Sequence, residues 1–158
     1  MEGAPLAAAK SELLASLAAL TNANQFQIIF YNQQPLPMPA MRGSMTAMTA
    51  ASDFGKRQAA TFLGGVLADG STDHWAALRL ALALRPDVIY FLTDASDPQL
   101  SPNQLQAIRQ LNRQTTIHTI EFGTLPFAQP GNFLERLAME NGGQHTYIDV
   151  QLLPGSVR

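Results

Sequence analysis

Five apolar residues closed by a threonine, Val88-Ile89-Tyr90-Phe91-Leu92-Thr93, constrain this chain more than any other stretch. The run is too short for a core helix, is rich in β-branched and aromatic residues, and is bounded by Arg85-Pro86-Asp87 and by Asp94, so it reads as a strand. Without polar alternation it is expected to be apolar on both faces, which is the pattern of a central parallel strand. A helix is predicted at about Asn103–Asn112, a strand at Thr116–Phe122, a helix at Asn132–Asn141 stopped by Gly142-Gly143, and a last strand at Gln144–Val150. Strands joined through helices require right-handed crossovers and a parallel sheet with helices on both faces. The chain is therefore read as one α/β domain over residues 1–158, a three-layer doubly wound fold with a mostly parallel sheet.

Upstream, leucines near helical spacing among alanines predict a helix from Leu6 to Leu20. The segment Phe26–Tyr31 reads as a buried strand. Pro35, Pro37 and Pro39 forbid a helix or central strand, so an extended loop with at most an edge strand is expected over Asn32–Ser52. Met38, Met41, Met45 and Met48 lie there, either as a soft contact surface or as a loop packed over the core edge. A helix from Asp53 to Leu67, capped by Ser52 or Asp53, a turn at Asp69–Asp73 and a helix from His74 to Leu84 lead to the apolar strand.

The 158 residues suffice for a proper core, and 46% hydrophobic with 14% charged residues excludes a disordered tail. A net charge of −2 with scattered basic residues argues against nucleic acid or an anionic membrane as partner. The absence of cysteine excludes disulfides and thiolate zinc sites and leaves the compartment open. No run reaches the ~18 apolar residues of a membrane span. The opening MEGAPLAAAK has no signal-peptide pattern, so a soluble domain is expected.

In such sheets ligands bind beyond the carboxyl ends of the strands. Two loops there carry oxygen-bearing side chains, Gly70-Ser71-Thr72-Asp73 and Thr93-Asp94-Ala95. The ordered set GSTDHWAALRLALALRPDVIYFLTDA (70–95), with FQIIFYN before it and TIHTIEFG and FLERLAMENGGQHTYID after it, resembles the von Willebrand factor type A domain over nearly the whole chain. The resemblance implies a non-enzymatic protein-interaction module. It also implies a metal-ion-dependent adhesion site, in which a divalent cation, often magnesium, is held by an Asp-x-Ser-x-Ser motif, a threonine matching Thr72 and an aspartate matching Asp94. Ser71 and Asp73 would flank that site, and Ser71, Asp73 and Asp94 are the expected partner-binding residues.

The chain departs from that pattern at its main ligands, because it contains no Asp-x-Ser-x-Ser. Met1-Glu2-Gly3-Ala4-Pro5-Leu6 reads as the segment that follows the motif, so the chain is expected to be N-terminally truncated relative to the family and to lack its central first strand. Thr72 and Asp94 alone make an incomplete magnesium site, so no cofactor is expected unless the motif is supplied upstream. The edges at Phe26 and Val88 would then pair with each other, with another chain or with solvent, which opens a route to self-association.

Simpler roles stand beside these. Thr72 or Asp73 can cap the following helix, and Asp94 can organise its own turn. His118 fits a core or interface histidine, Trp75 a packing residue, and Gly142-Gly143 a helix stop. A small-ligand or nucleotide-binding domain is one rival reading. A hydrolase-like enzyme using Ser96, Asp97, Asp94 and His74 is another, although neither a nucleophile elbow nor a glycine-rich phosphate loop is present.

Overall fold

The structure is a computed structural model that describes residues 3–40, 47–66, 72–95, 98–125 and 131–153. Its first helix, α1 (Ala4–Ala19), ends at Leu20, whose extended backbone breaks the ladder. The apolar segment that follows is not one strand but two, β1 (Gln25–Phe26) and β2 (Ile29–Tyr31). The break has a cause in Gln27. Its amide donates to the carbonyls of Met38 at 3.1 Å and Ala47 at 2.9 Å, and its side-chain oxygen accepts from Ile28 N at 2.8 Å. A side chain spent on backbone groups in this way competes with the strand ladder.

The proline-rich segment supplies two short antiparallel partners. β3 (Pro35–Pro37) pairs with β2, and β4 (Thr49–Ala50) pairs with β1. Met38 is buried against Leu17, Ile28 and Leu63, so this methionine belongs to a core. Met48 is half-buried, and Met41 and Met45 lie outside the described residues. α2 (Asp53–Gly65) starts at Ser52, whose hydroxyl accepts from Gly55 N, and packs with α1 over this first core.

α3 (His74–Ala83) leads into β5 (Val88–Thr93), which pairs in parallel with β6 (Thr116–Gly123), Val88 lying opposite Thr116. β6 pairs in parallel with β7 (His145–Asp149), and a 3₁₀ turn follows at Val150–Leu152. The crossovers are α4 (Pro102–Leu111) and α5 (Phe133–Glu140). Gly142, at φ 70, ends α5 as a glycine in the left-handed region should. The second core lies between the sheet and α3, α4 and α5, built on Leu78, Phe91, Ile108, Ile117, Leu134 and Leu137.

A second expectation is also corrected. Val88–Thr93 is parallel, but it is the border strand of the β5-β6-β7 sheet rather than a central one. Its burial alternates: Ile89, Phe91 and Thr93 face the core, while Val88 and Tyr90 are 41% and 66% exposed. Apolar composition marked it for two-sided burial, but among the described residues one face has no cover.

The helices carry their own start signals. At α4, Ser101 and Gln104 form a reciprocal capping box, with the Ser101 hydroxyl accepting from Gln104 N at 3.3 Å and Gln104 Oε1 accepting from Ser101 N at 2.8 Å. Ser101→Ala is expected to lower stability by about 1 kcal/mol. The urea midpoint measures it, and an unchanged midpoint would show that the cap carries no weight.

Candidate functional site

The carboxyl end of β5 and the N-terminus of α3 are brought to one rim by two consecutive residues at the end of β2. Tyr31 Oη donates to the Leu92 carbonyl at 3.0 Å, and its ring stacks on Phe91 with centroids 5.4 Å apart. The Asn32 carbonyl accepts from Asp73 N at 2.8 Å. Tyr31 therefore grips the loop that carries Asp94, while its neighbour grips the segment that carries Thr72 and Asp73.

Beside Tyr31, Ala95 N donates to Thr93 Oγ1 at 3.3 Å. Burial pushes the Tyr31 phenol well above its ordinary range, the neighbouring Thr93 hydroxyl pulls it down, and the nearby Asp94 charge pushes it up again. Asp94 is thus close enough to act on the Tyr31 hydroxyl. Ala95, directly after it, sits at φ 53, a left-handed conformation that non-glycine residues rarely adopt. Such strain is tolerated where the surroundings over-determine the backbone, and it is commonest at functional turns.

Asp73 takes the capping role. Its Oδ1 accepts from Ala76 N at 2.9 Å, which commits one carboxylate oxygen to α3. Thr72 and Asp73 line a cleft of about 360 Å³ together with Gln33, Trp75, Gln99 and Gln104. Asp94 does not line it. The structure therefore gathers Thr72 and Asp73 on the cleft side of the rim and holds Asp94 on the Tyr31 side. Ser71, Ser96 and Asp97 lie outside the described residues.

Magnesium requires several hard oxygen donors in near-octahedral geometry. Among the described residues no group of three or more His, Asp or Glu side chains is placed to hold a metal ion. Thr72 and Asp94 supply one hydroxyl and one carboxylate, and Asp73 is partly spent on its cap. The donor set described does not by itself fit the ion.

Three features escaped the sequence reading. His74 is 2% exposed and lies edge-on to Tyr31 and Phe91 and tilted on Phe133, at 5.2–5.6 Å between centroids, so it is part of the core under the rim. The glutamines of the cleft carry no pattern that marks them. The third feature is a buried polar chain on the core face of the sheet. Thr119 Oγ1 donates to the Leu134 carbonyl at 3.1 Å, and His145 Nδ1 lies 3.0 Å from the same hydroxyl. His145 Nε2 lies 3.1 Å from Glu121 Oε2, off the line of a good hydrogen bond, and Asn132 donates to that oxygen at 2.6 Å. The order hydroxyl, imidazole, carboxylate imitates a catalytic triad, but Thr119 has no exposed surface to meet a substrate. The chain pins the start of α5 to β6 and β7. His118, on the opposite face, stacks on Tyr90 at 5.3 Å and accepts from Gln144 N at 3.2 Å.

No family model matches the sequence, and neither does any curated protein. Among solved structures, the chain is similar to a von Willebrand factor type A protein from Catenulispora acidiphila, with a TM-score of 0.76 at 19% identity, over 92% of this chain and 34% of that one. The chain thus spans about a third of that protein's length. With its parallel sheet, its crossover helices and a rim at the carboxyl end of β5, this chain has a von Willebrand factor type A-like fold.

Proposed function

We propose that this chain is a non-enzymatic protein-interaction module that meets its partner at the rim carrying Thr72, Asp73 and Asp94, around an incomplete metal-ion-dependent adhesion site. The observation that carries the reading is the pair of bonds from the end of β2, Tyr31 Oη to Leu92 O and Asp73 N to Asn32 O, which holds both candidate loops at one edge of the fold. Loops fixed by a rigid scaffold are where binding residues concentrate. Ser71, Asp73 and Asp94 are the partner contacts in this reading, and magnesium joins them only if Asp-x-Ser-x-Ser is supplied upstream. No helix of the described residues is long and apolar enough to cross a membrane.

A titration with magnesium alone, followed by NMR at the Thr72 and Asp94 amides, tests the incomplete site. The expected result is no saturating shift below millimolar metal, and saturation in the micromolar range would contradict it. For the module itself, a protein partner recovered with the wild-type chain should bind Asp94→Ala at least ~10-fold more weakly, with no turnover to lose. Equal binding would remove Asp94 from the contact.

One observation favours a second reading. The 360 Å³ cleft is of small-ligand size, near the lower end of the usual ~300–1,000 Å³, and it is flanked by Trp75, the one tryptophan in the chain. A small-ligand or nucleotide-binding domain would show saturable quenching of Trp75 fluorescence by its ligand, whereas the module reading places no such ligand there.

A further inference from the structure

The chain contains a single Asn-Gly step, Asn141-Gly142, directly after α5. Such a step is prone to deamidation, because glycine has no side chain to hinder attack by its own main-chain nitrogen on the preceding carboxamide. In that reaction the Gly142 nitrogen bonds to Asn141 Cγ, the Cγ–Nδ2 bond breaks, and the amide leaves as ammonia. Water then opens the cyclic imide at either carbonyl and leaves aspartate or isoaspartate. The balance is a water consumed and an ammonia released, with no oxidant or cofactor.

In the fold the polar groups of Asn141 are all committed. Its Nδ2 donates to the Leu137 carbonyl at 2.8 Å, and its Oδ1 accepts from Asn112 Nδ2 at 2.8 Å. Its main-chain N–H donates to Ala138 O, and its carbonyl accepts from Ile117 N. Asn112 is clamped in turn. It donates to Thr115 O at 2.6 Å and accepts from Thr115 N at 2.9 Å, and the Thr115 hydroxyl donates to Pro86 O at 2.7 Å. Asn141 thus closes a run of bonds that ties the end of α5, the end of α4 and the approach to β5 at the foot of the sheet. The residue is 8% exposed, which keeps water from the leaving group. The backbone adds a second guard. At ψ 26 the Gly142 nitrogen stands nearly trans to the Asn141 Cβ, so Cγ stays out of bonding reach until this peptide turns over.

We propose that Asn141 is a guarded deamidation site, kept intact while the foot of the sheet is closed and spent once it opens, so that the reaction records opening irreversibly. Opening must break the bond from Asn112 and free the amide from Leu137 O, and the rate then follows the population of the open form. Neither product refits. Aspartate has no donor for Leu137 O and sets a charge into a buried position. Isoaspartate adds a main-chain carbon just ahead of Gly143, which is packed so closely on the Ile117 carbonyl that not even a methyl fits. Asn141 stands beside the start of β6, at the opposite end of the strands from the rim of Thr72 and Asp94, and the inference does not depend on what that rim binds.

Peptide mapping by mass spectrometry tests the guard on the whole chain, aged at neutral pH in buffer and in unfolding urea. The folded chain should lose ammonia from Asn141 at least ~10-fold more slowly than the unfolded one. Asn112→Ala, which releases Asn141 Oδ1, should raise the rate in buffer at least ~5-fold. That rise should exceed what its lower urea midpoint accounts for, with Ser101→Ala calibrating the effect of lost stability alone. Chain deamidated in urea and then refolded, and Asn141→Asp as a homogeneous form of one product, should both unfold at lower urea than wild type. Equal rates in the folded and unfolded chains, a rate in Asn112→Ala that only tracks its midpoint, or an Asn141→Asp protein as stable as wild type would overturn the proposal.

Discussion

Replacing Tyr31 by alanine should cost about 3–5 kcal/mol, the range for truncating a packed aromatic residue. The substitution removes the stack on Phe91, the edge contact with His74 and the hydrogen bond to Leu92 O. Tyr31→Phe keeps both ring contacts and leaves only the carbonyl unmatched, for about 1–3 kcal/mol. Urea unfolding separates the two, and since domains of this kind are stable by roughly 5–15 kcal/mol, alanine should consume a large share of the total. A loss below about 1 kcal/mol for alanine would show that the ring does not bind the halves together. The phenol also has a pH signature. Burial keeps it protonated in the fold above the ~10 at which an unfolded tyrosine ionises. Its contribution is complete below about pH 10 and falls as pH rises beyond that, because only the unfolded state then releases the proton. Tyr31→Phe should flatten that alkaline slope.

Gly143→Ala should be the second large loss, about 3 kcal/mol or more. An added methyl would overlap the Ile117 carbonyl oxygen and sit 2.5 Å from its carbon. That backbone cannot retreat, because Ile117 N is bonded to Asn141 O and Thr119 N to Gln144 O on either side of the contact. Overpacking against fixed backbone is among the costlier substitutions. Gly123→Ala is the internal control. Its methyl would meet the hydroxyl end of half-buried Tyr147, a side chain that can swing aside at the cost of its hydrogen bond to Leu125 O, so the loss should stay near ~1 kcal/mol. Thermal unfolding of the pair decides the matter: equal losses would mean that the close approach of β6 to the end of α5 is not what makes Gly143 necessary.

The second half of the fold was legible because its signals are local. The alternation of strand and helix from Val88 onward, the caps at Ser52 and Asp73, and the stop at Gly142 each depend on residues within a few positions of one another. The first half was less legible. The break at Gln27 depends on carbonyls 11 and 20 residues away, which a pattern of apolar residues does not contain. The burial of β5 was misread for a related reason: composition reports that a strand can be covered on both faces, not that a neighbour is there. At the rim, Thr72, Asp73 and Asp94 were visible from their positions at element ends. Tyr31 was not, since nothing local distinguishes a tyrosine that fills a strand from one that reaches 61 residues ahead to a carbonyl.

The account rests on β2 ending against both candidate loops at once. The most direct measurement is the amide NMR spectrum of Tyr31→Phe compared with wild type. Loss of the bond to Leu92 O should shift Asp94 and Ala95 on one side and Thr72 and Asp73 on the other, while the amides of α1 and β7 stay in place. Shifts confined to the Leu92–Ala95 turn, with Thr72 and Asp73 unmoved, would contradict it.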